Sequence, residues 1–429
     1  MADAFVDSIG VNLAVEAATL TDSTLWPLVY PLLEQSGIRH IRAGGPALPQ
    51  IVYDRINQLY NDVGIRNDSA VDYRSSASEI SAMIVSTPHM ELIEGQNEYD
   101  IVHPASDPAW WTTLKTAQQL LATTVRANPA MQSAGVKIVC PSFTGAATAQ
   151  TFSTGAGSLS NSCDYGNSHN AFDGYWPGSP GWGASFSASY PGGTCSGAYK
   201  TIAYGTCYPR WASGAAPVIV TEMGNGPVVP DTWPGCGSSY DCRNWTSYSL
   251  ATKYLPRQLL AWFQNGNPRA YIYRFIDGGP NAGTDYATMF GGMIDGNGSP
   301  KPPYFAVKNL IAALRDPGPS FTTTPFPLTL SGSTTNVQWQ LFEKRDGSYL
   351  YVVWIEASGQ DATTNPPTAI AVQPQSVTVM AGRGVTSATT ATIQADGSLS
   401  APAPLSFANG AATLSVTDSL TVVRIVPSK

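Results

Sequence analysis

Charge is scarce in this chain: Asp, Glu, Lys and Arg make up only 12% of its 429 residues, and only four residues are His. With 23 basic against 30 acidic residues, the net charge of -7 offers no basic footprint for phosphates, which argues against a nucleic-acid partner. No apolar run reaches the ~18 residues of a membrane span, so none is expected. Cys-x-x-Cys and close Cys/His spacings are missing, which disfavours zinc. Asp231, Asp241 and Asp285 fall in loops without metal-ligand spacing, so neither a metal nor another cofactor is expected. The opening MADAFVDS lacks a basic segment followed by an apolar one, so an export signal is absent from it.

Polarity is carried instead by Gly, Ser, Thr and Asn, a texture that suits a secreted protein. The six cysteines all lie between Cys140 and Cys242. Cys195 with Cys207 and Cys236 with Cys242 are placed to close short disulfide loops, while Cys140 and Cys163 are either a third pair or two buried thiols. Nothing in the sequence bears on oligomeric state.

The chain is organised around Met90 to Glu98, MELIEGQNE. An apolar beginning (Met90, Leu92, Ile93) and a polar tip predict a parallel strand covered on both faces that delivers Asn97 and Glu98 to a ligand site. Pro217 to Gly226, PVIVTEMGNG, has the same form and carries Glu222. Around these two, strands are predicted at Ser8 to Val15, His40 to Gly45, Gly64 to Val71, Val136 to Phe143, Cys163 to Asn170 and Arg269 to Gly278. Helices are predicted near 25–35, 49–62, 76–85, 107–127, 245–264 and 303–315. In the helix at 107–127, Trp110, Leu114, Ala117, Leu121 and Val125 form one apolar face. Eight strand-helix units over residues 1–316 match an α/β fold, a (β/α)8 TIM barrel, whose active site lies at the carboxyl ends of the strands. Residues 172–216 read as a long loop rich in Gly, Pro and aromatics. After Asp316 the helical period gives way to alternating segments, at 336–343, 348–356, 369–380, 413–416 and 420–426, so residues 317–429 are expected to form an all-β sandwich that buttresses the barrel.

Two carboxylates at strand ends are what hydrolysis of a sugar acetal requires. Glu98 is expected to be the acid/base: partial burial beside Glu222 would raise its pKa and keep it protonated. Glu222 is then the nucleophile, held ionised by Arg42, with Asn97 donating to the sugar hydroxyl beside the anomeric carbon. His169 is placed to orient a carboxylate, and Glu94 is a deeper rival on the same strand as Glu98. Trp176, Tyr273 and Arg274 are the candidate sugar contacts, Arg274 if the substrate carries a carboxylate.

These residues resemble the clan A retaining glycoside hydrolases, which pair an Asn-Glu on strand four with a Glu on strand seven. Here the matches are Asn97-Glu98 and Thr221-Glu222, with Arg42 and His169 beside them. Within the clan the chain is most similar to family 39, whose members join the barrel to a β-sandwich; the run Lys301 to Ala306, KPPYFA, is similar to that link. Gln96 and Tyr99 depart from the Trp and Pro that flank the pair in many relatives, and no Trp marks strand eight, which keeps families 5, 30 and 79 open. The resemblance implies a retaining glycosidase cleaving a β-linked glycoside or polysaccharide. The alternatives are a carbohydrate-binding protein on an inactive barrel and a transglycosylase using the same two glutamates.

Overall fold

The computed structural model describes residues 1–14, 18–102, 107–190, 192–278 and 290–428. Eight parallel strands form the central sheet: Ile9–Ala14, His40–Ala43, Arg66–Ala70, Met90–Glu94, Lys137–Val139, Gly166–Ala171, Val218–Gly224 and Ala270–Ile272. The first pairs with both the second and the eighth, and a parallel bridge between Val139 and Tyr165 joins the fifth to the sixth and closes the ring. The architecture is therefore the (β/α)8 barrel expected. Its interior is lined by side chains such as Leu92, Val139, Ile219 and Tyr271, a packed core rather than a channel.

Local chemistry sets the helices that flank it. Ser76 accepts from the backbone of Glu79 while Glu79 reaches back to Ser76 N, a capping box that starts Ala77–Ser86. The helix Trp110–Ala127 buries Trp110, Leu114, Leu121 and Val125 as the periodicity predicts, but Gln118 rather than Ala117 completes the stripe. The Gln118 amide donates to Ser162 O at 3.1 Å, so its burial does not leave that donor unpaired.

Several sequence expectations are corrected. The fourth strand ends at Glu94, so Asn97 and Glu98 lie in the turn beyond it, with Glu98 in the left-handed region at φ 39°. A helix over Ala146–Ala156 was not foreseen, because its Ala, Thr and Ser give little periodic contrast. The supposed loop at 172–216 contains a β-hairpin, Trp182–Tyr190 with Gly193–Tyr199, and two short helices, Ile202–Cys207 and Arg210–Ser213. Disulfides link Cys195 to Cys207 and Cys236 to Cys242, and Cys140 pairs with Cys163 as the third.

Beyond the last barrel helix, Pro302–Leu314, two antiparallel sheets stack as a sandwich. One has three strands, Leu328–Gly332, Gln375–Ala381 and Ala411–Val416; the other has five, with Tyr349–Ile355 inside it. All seven residues of Tyr349–Ile355 are buried. Tyr349, Tyr351, Val353 and Ile355 fill the sandwich core, while Leu350, Val352 and Trp354 on the opposite face join the barrel core. A strand covered on both sides loses the polar alternation of a half-exposed one.

Arg257, fully buried on the helix Tyr248–Gln264, crosses this junction and donates to Ile355 O at 2.9 Å and Ala357 O at 3.3 Å. Arg257→Ala would strip these carbonyls of their donor and lower the unfolding free energy by about 3 kcal/mol. A urea midpoint equal to that of the wild type would refute this.

Candidate active site

Residues from six of the eight barrel strands or the turns after them converge on one hydrogen-bonded network whose centre is Arg42. Arg42 is buried, and its position on the second strand puts it in register with Asn12 on the first and Asp68 on the third. Its Nη1 donates to Glu222 Oε1 at 2.6 Å and to Asn12 Oδ1 at 3.1 Å. Its Nη2 donates to Asn97 Oδ1 at 2.7 Å and Glu94 Oε2 at 3.1 Å, and its Nε also binds Glu94. Burial alone would disfavour the guanidinium charge, but Glu94 and Glu222 outweigh it and raise the pKa. Arg42 is thus a fixed cation with each donor edge engaged.

A second chain of contacts runs from the other side. Glu98 Oε1 lies 2.6 Å from His169 Nδ1, and His169 Nε2 lies 3.0 Å from Thr221 Oγ1. Thr221 donates to Asn167 Oδ1 at 2.5 Å, and Asn167 Nδ2 donates to Glu94 Oε2 at 2.9 Å, which closes the loop back to Arg42. Glu98 N is itself held by Ser142 Oγ at 3.0 Å. Because Thr221 has a partner to donate to, it accepts from His169 Nε2, which places a proton on that nitrogen.

Burial opposes charge on His169, but Glu222 and Glu98 outweigh it and raise its pKa above the ordinary 6.5. For Glu98, burial pushes the pKa up, yet the charge and hydrogen bond of His169, with Arg42 and Lys200 farther off, bring it below its ordinary value. The expected rise in the Glu98 pKa is thereby corrected: His169 lowers it, and the opposite shifts of the two groups favour the proton on the imidazole side of the Glu98–His169 pair. The sequence argument counted the charge of Glu222 and placed His169 to orient a carboxylate, but left the charge of the imidazole out of the balance. Burial and the charge of Glu94 raise the pKa of Asp68, an interior carboxyl on the third strand.

Glu98, His169, Glu222 and Tyr273 line one cavity of about 140 Å³, joined by Thr144 and Lys200. Lys200 is paired with Asp173 at 2.9 Å. Buried Arg42 is not among the lining residues and is tied to the cavity through Glu222, while half-buried Asn97 is held by Arg42. Trp176 and Arg274 are not among its lining residues: Trp176 packs beside Tyr175 and Arg274 beside Tyr273. Tyr271, the other tyrosine on strand eight, is buried in the barrel core.

Glu98, His169 and Glu222 present ligand atoms within 4.8 Å of one another, enough in number for a small divalent cation. Two features oppose one. The cation of Arg42 is bonded to Glu222, and a ligating imidazole must be neutral, against the raised pKa of His169. Among the loop aspartates, Asp231 accepts from Ser249 N and Asp241 pairs with Arg243; Asp285 lies outside the described residues.

Sequence reasoning named Thr221 only as the neighbour of Glu222 and missed Asn12, Asp68, Asn167 and Lys200. Three of the missed residues left a signal: Asn12, Asp68 and Asn167 are buried polar residues on barrel strands where apolar ones are the rule. Lys200 left none, since it lies in the segment read as loop.

No protein-family model matches the chain, nor does any curated protein sequence. Solved structures do match. A family 39 glycoside hydrolase from the gut symbiont Bacteroides cellulosilyticus WH2 superposes with a TM-score of 0.60, covering 99% of this chain and 82% of its own at 15% identity. A glucosidase from Croceicoccus marinus gives 0.58 at 10% identity, covering 98% and 96%. The catalytic domain of GH30 xylanase C from Talaromyces cellulolyticus gives 0.52 at 14% identity, covering 98% and 96%. The likeness is one of fold.

The paired titration is measurable. Side-chain nitrogen NMR of His169 is expected to give a pKa above 6.5, and Glu98→Gln, by removing one of its two anions, to bring it down. An unchanged value in the variant would show that Glu98 does not hold the proton there.

Proposed function

We propose that the protein is a retaining glycosidase that cleaves a β-linked glycoside or polysaccharide by double displacement, with Glu222 as nucleophile and Glu98 as acid/base. The observation that carries this reading is the gap between the two glutamates, whose nearest oxygens lie within 4.8 Å across a shared cavity. Retaining enzymes hold their carboxyl groups about 5–5.5 Å apart, whereas inverting ones need roughly 6.5–9.5 Å to admit a water.

In the first step a Glu222 oxygen attacks the anomeric carbon while the bond to the leaving oxygen breaks, and Glu98 passes to that oxygen the proton it shares with His169 Nδ1, leaving the imidazole neutral. In the second, water attacks the same carbon, Glu98 takes its proton, and the bond to Glu222 is released. Arg42 suits Glu222 to attack: its charged hydrogen bond to Oε1 fixes the orientation of the carboxylate. The pair with His169 suits Glu98 to donate. As Glu222 spends its charge in the new bond, the field holding the pair's proton weakens, and the proton becomes more acidic when the leaving group needs it. Asn97 Oδ1 is occupied by Arg42, which turns its amide nitrogen into the free donor for a sugar hydroxyl.

The xylanase and glucosidase among the similar folds act on different sugars, so the glycone is left unspecified. The location proposed is extracytoplasmic, an environment in which three disulfides persist. No described helix is long and apolar enough to cross a membrane.

A panel of aryl β-glycosides, with the anomeric configuration of the product followed by NMR, tests the proposal. Retention is expected; a first product of inverted configuration rules out the two-step route. Glu222→Gln should lower kcat by about 10³-fold or more, through loss of the attacking group. Wild-type kcat/KM should fall as pH rises through the raised pKa of the Glu98–His169 pair, because the acid has then lost its proton. In His169→Gln that limb should move to lower pH, since Glu98 alone would carry the proton. Dialysis against a chelator should leave turnover intact; loss that zinc or another divalent ion restores would mean that Glu98, His169 and Glu222 serve a metal instead.

A further inference from the structure

Beside the catalytic cavity lies a second, open hollow of about 420 Å³, within the ~300–1,000 Å³ range of ligand pockets. Its wall is aromatic: Phe186 and Tyr199 from the hairpin, with Tyr204 and Trp211 behind them. Tyr204 meets Tyr199 and Phe186 edge to face, with ring centres 5.1 and 5.0 Å away, so these rings brace one another. Facing them is the first turn of Ala146–Ala156, where Tyr204 Oη accepts from Ala146 N at 2.8 Å and Thr148 and Gln150 add polar groups at the rim.

Two links join this hollow to the site. Thr144 lines both spaces, and Tyr199, in the hollow, is followed directly by Lys200, in the catalytic cavity. Its lining residues Thr144 to Gln150 follow the carboxyl end of strand five, which neighbours strand four and Glu98 rather than strand two and Arg42. A leaving group protonated by Glu98 departs on the side of Glu98.

From this we infer that the hollow is a binding site for the leaving-group sugar, in which a pyranose packs its C–H face on Phe186 and Tyr199 and its hydroxyls meet Thr144, Thr148 and Gln150. The inference rests on the glycosidase reading and adds to it that the substrate extends past the cleaved bond as a carbohydrate. An apolar wall opposite a polar rim matches the two chemistries of a sugar ring. The hairpin that supplies the wall is pinned by the Cys195–Cys207 disulfide to the helix that carries Tyr204, so the wall is built before substrate arrives.

The test compares two substrates with the same glycone: a glycosyl fluoride, whose leaving group is too small to reach the hollow, and an oligosaccharide. Phe186→Ala, Tyr199→Ala and, at the exposed rim, Gln150→Ala are each compared with the wild type. For the aromatic variants the ratio of kcat/KM for oligosaccharide over fluoride should drop about tenfold or more, with a smaller drop for Gln150→Ala. A ratio unchanged in all three variants, or both substrates impaired in equal proportion, overturns the inference. Binding of an uncleaved oligosaccharide to Glu222→Gln, with and without Phe186→Ala, gives a readout independent of turnover. Failure of the wild type on every glycosyl fluoride would instead count against the glycosidase reading, while loss of oligosaccharide affinity in Phe186→Ala would still support the hollow as a sugar site.

Discussion

The guanidinium of Arg42 is the interaction on which the rest of the site depends. It is one buried charge with five donors, and four partners from three segments of the chain meet on it: Asn12, Glu94 with Asn97, and Glu222. Two of those partners are carboxylates, so the cation is stable only where the barrel brings both to it, and they are stable there only because it is present. This mutual requirement fixes Glu222 in one orientation and the turn after strand four in one conformation. The planar fork matters as much as the charge, since a lysine in its place would be a point donor unable to hold Glu94 on one edge and Glu222 on another.

The Glu98–His169 pair hangs from the same framework through Thr221, Asn167 and Glu94. Each polar group in that chain has its partner, as burial of so many of them demands. The consequence is a site with two distinct ends. At one, Glu222 is locked to a permanent cation; at the other, Glu98 shares a movable proton with an imidazole. Two glutamates of identical chemistry are thereby given different electrostatic surroundings by their neighbours, not by their own structure.

The sandwich contributes at a distance. Its strand Tyr349–Ile355 is buried on both faces, one inside the sandwich and one against the barrel, and Arg257 and Gln340 bridge the boundary through backbone carbonyls. The helix so anchored, Tyr248–Gln264, follows the Glu222 strand and packs against the last barrel helix. Packing of this kind restrains strand seven from outside, while Arg42 restrains it from within.

Hydrophobic runs ending in glutamates, with helical periods between them, were enough to read the barrel and the sandwich from the sequence, because both periods are local properties of the chain. The same runs pointed to Arg42, Asn97, Glu98, His169 and Glu222, which the fold brings around one site. Trp176, chosen among the loop aromatics, and Arg274, chosen for its place near the end of strand eight, do not line the cavity. What tertiary structure alone decided is which charges are neighbours. The proton shared by Glu98 and His169, the raised pKa of Asp68 near Glu94, and the aromatic hollow beside Thr144 all depend on distances between residues tens of positions apart. Electrostatic energy varies with separation in space and with burial, and neither is written in the order of the residues.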